Sequence, residues 1–104
     1  MKTLFDCYSR LLIDNHITDL KPEYMRKFDP AEYVEMVRLA GVEAAMVYAS
    51  DHNGNCYYPS RIGHVHGGCV GRDLFGETVR LLAEAGIVPV GYHTVVYQNE
   101  PAFR

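Results

Sequence analysis

Leu39-Ala40-Gly41-Val42 is followed, after an offset of 45 residues from Gly41 to Gly86, by Glu84-Ala85-Gly86-Ile87. Each stretch ends an amphipathic segment, turns at a glycine and enters an apolar run, so one structural unit is written twice. Upstream of the first copy, Asp29-Pro30-Ala31-Glu32 predicts a helix start, with Asp29 as cap, Pro30 at the first helical position and Glu32 reaching back in a capping box. Tyr33, Val34, Val37 and Ala40 then form one stripe, and Gly41 can take the left-handed conformation that closes the helix. The run from Val42 to Ala49, interrupted only by Glu43, reads as a strand covered on both faces.

The second copy behaves alike. Asp73 caps a helix that sets Leu74, Thr78, Leu81, Leu82 and Ala85 on one face before Gly86, and Ile87 to Tyr92 is a further buried strand, in which Pro89 removes one ladder donor. Ser9 to Ile13 is a candidate first strand, ending at Asp14-Asn15-His16. The order strand-helix-strand-helix-strand predicts parallel α/β architecture, either an open doubly wound sheet or part of a (β/α)8 TIM barrel. A barrel takes about 250 residues, so 104 residues would supply roughly its first third. Arg104 comes shortly after the third strand, where the next helix is expected. The leading expectation is therefore an incomplete barrel, with 1–104 forming one fragment of a barrel domain.

Composition narrows the function. A hydrophobic share of 48% with 22% charged residues is ordinary for a globular chain and suggests neither disorder nor a fibrous repeat. With a net charge of −3 and no Lys/Arg cluster, nothing in the sequence favours nucleic acid or an anionic membrane surface as a partner. Asp6, Arg10 and Asp14 break the N-terminal segment, leaving neither a signal-like apolar core nor a membrane span, and a cytoplasmic location is the default expectation. Cys7, Cys56 and Cys69 lack CxxC spacing and cannot all pair, so free thiols are expected. No cofactor is expected.

In parallel α/β folds, ligand chemistry gathers beyond the carboxyl ends of the strands. His16 follows the first strand, Asp51 and His52 the second, and Tyr92 and His93 end the third. The loop Ser50 to Gly71 is longer than a connector requires. Its opening, Ser50-Asp51-His52-Asn53-Gly54-Asn55-Cys56-Tyr57-Tyr58-Pro59-Ser60, resembles without a gap the strand-2 loop of the α-L-fucosidase-like glycoside hydrolases, of pattern KHHDGFxLWPS. Phe28-Asp29-Pro30-Ala31-Glu32-Tyr33 is similar to their FDPEEW helix start, and Ala40-Gly41 to the AG before strand 2. Arg72-Asp73-Leu74 is similar to their RDxV, and Gly86-Ile87 with Gly91-Tyr92-His93-Thr94 to the region ending in YYS. Within that superfamily the loop is most similar to the hypothetical glycosyl hydrolase 6 type.

The resemblance implies a (β/α)8 barrel acting on sugars. It implies that the paired sugar-holding histidines of the strand-2 loop fall on Asp51 and His52, where only His52 keeps the residue type. It also implies sugar contacts at His16, Tyr92 and His93. Imidazole, phenol and carboxylate groups supply directional hydrogen bonds for hydroxyls, and Tyr57 or Tyr58 offers a face for a pyranose. The family's nucleophilic aspartate follows strand 4, so no catalytic residue is assigned here and the chain is expected to be inactive alone. Asp14 and Asp51 are not singled out as a carboxylate pair.

Other readings compete. Asp51-His52-Asn53-Gly54 has turn-forming composition, and Arg72-Asp73 is explained by a surface charge beside a helix cap. His93 is equally well read as a satisfied core histidine at a strand end and His16 as a solvent-facing loop residue, and Tyr33 and Tyr48 are read as packing residues. His64, His66 and Cys69, with Cys56, have the donor types of a zinc site but no familiar spacing. A small α/β binding module without catalysis, metal-stabilised through His64, His66 and Cys69, is the alternative function. Exposed sheet edges weigh against a self-standing three-strand domain, so the remainder of a barrel or a homo-oligomeric partner is expected to cover them.

Overall fold

Two eleven-residue helices, each closed by a left-handed glycine, feed two parallel strands in the computed structural model, which describes residues 3–13, 22–51 and 54–93. The elements are β1 (Arg10–Leu11), α1 (Pro22–Arg26), α2 (Pro30–Ala40), β2 (Ala44–Tyr48), β3 (Asn55–Cys56), β4 (His64–Val65), α3 (Leu74–Glu84) and β5 (Val88–Tyr92). Short 3₁₀ turns lie at Leu4–Asp6 and Gly67–Cys69.

The main sheet has the order β1-β2-β5, all parallel, with Ala44 opposite Val88 and Tyr48 opposite Tyr92. A mixed α/β arrangement is thus established, although three sequential strands belong equally to a barrel segment and to one half of a doubly wound sheet. Pro89 lies within β5, and the ladder tolerates it for a geometric reason. The amide of Val88 donates to Glu43 O at 2.9 Å, so alternation turns the Pro89 nitrogen toward the edge of β5 that faces away from β2, where no β2 acceptor is lost.

Both helices pack on one face of this sheet. Tyr33, Val34 and Val37 of α2, Ala45 and Val47 of β2, Leu82 of α3 and Ile87 form one buried cluster. The caps work much as the sequence implies: Asp29 accepts from Ala31 N at 3.0 Å and Asp73 from Gly76 N at 2.9 Å. Glu32 makes no reciprocal bond among the described residues, so the expected capping box is reduced to the Asp29 cap. Gly41 and Gly86 hold φ of 75° and 77°, which a residue with a Cβ adopts only with strain.

Several expected boundaries shift. The first strand shrinks from Ser9–Ile13 to Arg10–Leu11, and Ala40 and Ala85 are exposed at the helix ends. Glu43, the one charge in the run from Val42 to Ala49, lies just ahead of β2 and accepts from the amides of Tyr8 at 2.9 Å and Ser9 at 3.4 Å. It thereby fixes the approach to β1. The loop after β2 is not structureless: Asn55 pairs with His64 and Cys56 with Val65 in a small parallel ladder. Among the described residues, no helix is long and apolar enough to cross a membrane.

Candidate functional site

Because the three main strands are parallel, the segments after β1, β2 and β5 emerge at one end of the sheet. Of the six sequence-derived candidates, His16 and His52 lie outside the described residues, while Asp51, Tyr58, Tyr92 and His93 lie within them.

Asp51 is completely buried, and its carboxylate is engaged within its own loop. Oδ1 accepts from the Asn55 amide at 2.9 Å, and Oδ2 from Asn55 Nδ2 at 2.9 Å and from the Tyr57 hydroxyl at 3.4 Å. The backbone closes the same turn, with Asp51 N donating to Asn55 O and Gly54 N to Asp51 O, each at 3.1 Å. A buried carboxyl group is tolerated when donors of this kind satisfy its oxygens. Asp51 therefore shapes the loop that carries His52. Tyr57 is 1% exposed, which corrects the expectation that its ring offers a face to a sugar.

Tyr92 and His93 are adjacent in sequence but serve different surroundings. Tyr92 stacks on Tyr48 with ring centroids 4.1 Å apart and planes inclined by 18°, because the two residues are direct register partners on β2 and β5. Tyr48 is buried with Met25, Tyr57, Cys69 and Leu74, so one side of the Tyr92 ring rests on a fixed platform. His93, by strand alternation, shares the helix-side face with Gly91. Its Nδ1 lies 2.7 Å from Ser50 Oγ, a contact that either neutral tautomer satisfies while leaving Nε2 for a different partner.

Tyr58 and His93 meet at a cleft of about 580 Å³, lined also by Ala49, Asp73, Phe75, Gly76 and Val79. The Tyr58 ring meets Phe75 edge-on at 6.4 Å. Burial, and then the neighbouring Cys56 thiol, push the Tyr58 phenol above its ordinary pKa, so it stays a neutral hydrogen-bonding group at neutral pH. The described candidates thus divide: Tyr58 and His93 share the cleft, Tyr92 belongs to the tyrosine stack, and Asp51 lies beneath the loop.

The alternative metal reading gains no geometry. His64 is exposed whereas His66, Cys56 and Cys69 are buried, and among the described residues no group of three His, Cys, Asp or Glu side chains is arranged to hold a metal ion. His66 accepts from Gly68 N at 3.0 Å through Nδ1 and meets the Tyr57 ring edge-on. That acceptor role places the imidazole proton on Nε2 and makes the residue a cap for the Gly67–Cys69 turn. The three cysteines are free thiols, all buried.

Among solved structures, α-L-fucosidase isoenzyme 2 from Paenibacillus thiaminolyticus matches with a TM-score of 0.79 and 26% identity, over 88% of this chain and 14% of that one. The structural neighbours are fucosidases. An α-L-fucosidase GH29 from Bacteroides thetaiotaomicron matches 71% of this chain and 18% of its own, with a TM-score of 0.57 and 26% identity. A bacterial fucosidase with a monovalent iminocyclitol inhibitor is 23% identical with a TM-score of 0.55, over 68% of this chain and 18% of that one, and attests the fold alone. No protein-family model and no curated protein matches the chain. The chain spans about 14–18% of the length of the fucosidases it matches.

Sequence reading missed two features at this end of the fold. The first is α1, although Pro22-Glu23 is the kind of start signal read correctly at Pro30. The second is Arg72. Read as a surface charge, it in fact donates to the carbonyls of Met25 at 3.2 Å, Arg26 at 3.1 Å and Phe28 at 2.7 Å. Nothing local signals those bonds, because the acceptors lie more than forty residues away.

Proposed function

We propose that this chain is the sugar-binding first part, strands one to three with their two helices, of a fucosidase-related glycoside hydrolase of (β/α)8 architecture. The observation that carries the reading is the 0.79 TM-score to a fucosidase over 88% of this chain but 14% of the neighbour. The sequential parallel strands and one-sided helices described above agree with such a segment.

In this reading the chain binds a carbohydrate and completes no hydrolysis. Glycoside hydrolysis ordinarily employs two carboxyl groups flanking the bond, and Asp51, the acidic residue that opens the candidate loop, already has its oxygens bonded to Asn55 and Tyr57. His52, Tyr92, His93 and Tyr58 are the proposed hydroxyl and ring contacts, with His16 joining them from the segment after β1. Asp51 is assigned to the site through the loop it shapes.

A panel of nitrophenyl glycosides tests the proposal. The 104-residue chain is expected to hydrolyse none, whereas a protein joining it to the remaining strand-helix units is expected to release nitrophenol from at least one, α-L-fucoside first. Absence of turnover by the joined protein across the panel would contradict the hydrolase reading.

A further inference from the structure

Arg72 stands at the end of the long segment after β2, yet its guanidinium donates to three carbonyls of the segment after β1. The carbonyls of Met25 and Arg26 are the last two of α1, and Phe28 lies just beyond. The Met25 carbonyl also accepts from the Phe28 amide at 3.1 Å, so Arg72 adds to the closure of this helix end, and a planar guanidinium can engage several carbonyls at once where a lysine ammonium is a compact point charge. The backbone of Arg72 is anchored at the same time to the other segment, its amide donating to Cys69 O at 3.0 Å. Met25, 2% exposed, is packed with Tyr48, Tyr57 and Cys69.

We infer that Arg72 is a positioning residue that couples the two segments at the carboxyl end of the sheet, so that α1 and the Gly67–Cys69 turn open as one body. Hydrogen bonds to a charged group are individually stronger than neutral ones, and three from one side chain joining elements over forty residues apart make the coupling local to this rim. The bearing of this coupling on ligand binding rests on the proposed function, since both segments carry proposed sugar contacts. The coupling itself does not.

Amide hydrogen exchange on the full 104-residue chain, without sugar, tests it. In the unaltered chain the amides of Lys27 and Phe28 in the α1 region and of Cys69 in the turn are expected to show equal protection within about threefold, as members of one cooperative unit open with a common free energy. Arg72→Met is expected to speed Lys27 and Phe28 at least tenfold relative to Ala49 and Val88, whose amides bond within the main sheet. Arg72→Lys is expected to fall between, and serves if the Met variant does not fold. A uniform rise at all of these amides, no rise at all, or unequal protection in the unaltered chain would each overturn the inference. Because no sugar is present, such a failure is separate from any failure of the hydrolase reading, which the glycoside panel reports.

Discussion

Asn55 holds both oxygens of Asp51: its amide reaches Oδ1 and its side-chain nitrogen reaches Oδ2, each at 2.9 Å. The pair makes Asp51 the keystone of its loop. Asp51→Ala would leave these buried donors and the Tyr57 hydroxyl without this acceptor, at a cost of about 2–3 kcal/mol. Asp51→Asn would retain an acceptor but set an amide NH₂ against donors. Urea denaturation should show a loss in both variants, larger for Ala. Unchanged midpoints would mean that the carboxylate has no role in shaping the loop.

His52 follows this keystone directly and carries the clearest sequence likeness to a sugar-holding histidine. In a protein joining this chain to the remaining barrel units, His52→Ala should raise KM for the productive glycoside about tenfold or more, as loss of one good hydrogen bond to a ligand would. The melting temperature of the chain should move little. Unchanged KM and kcat would remove His52 from the site.

Tyr33 offers a pH test of the core. Burial raises its phenol above the ordinary value of 10.0, because the folded interior disfavours the phenolate. The folded state therefore holds the proton more tightly than the unfolded one. The associated stability is fully present below about pH 10 and is lost as pH rises from the unfolded value through the folded one. Tyr33→Phe should lose less stability than the unaltered chain between pH 9 and 11, with Tyr58 still contributing in the same direction. Parallel stability curves for the two chains over that range would contradict this assignment.

Leu82 is fully buried between α2 and the sheet. Leu82→Ala should cost about 2–5 kcal/mol through lost burial and the cavity left behind. For a domain of this size that is a large part of the total stability, so calorimetry should show a much lower transition or none. A shift of a degree or two would mean that the helices are not packed as described.

α2 and α3 and the strands that follow them are legible in the sequence because their determinants are local: Asp29 and Asp73 cap, Gly41 and Gly86 stop, and apolar runs follow. β1 is legible only in part, since two residues give almost no period to read. The site is harder. Nothing in the order Ser50-Asp51 reveals that the serine contacts His93 or that the aspartate is bonded by a residue four positions on. Arg72 shows the limit most plainly, because its acceptors are backbone carbonyls, which are common to every residue type and leave no trace in a sequence. The stack of Tyr48 on Tyr92 follows from parallel register, which becomes readable only when the strands are paired.

Whether the carboxyl end of this sheet holds a sugar, as proposed, can be read from NMR titration of the 104-residue chain with methyl α-L-fucopyranoside and other methyl glycosides. Saturable shifts are expected for at least one glycoside at Tyr58, Tyr92, His93 and the 50–57 loop, with Leu82 and the far ends of β2 and β5 unmoved. No saturable shifts with any glycoside, or shifts confined to the opposite end of the sheet, would contradict it.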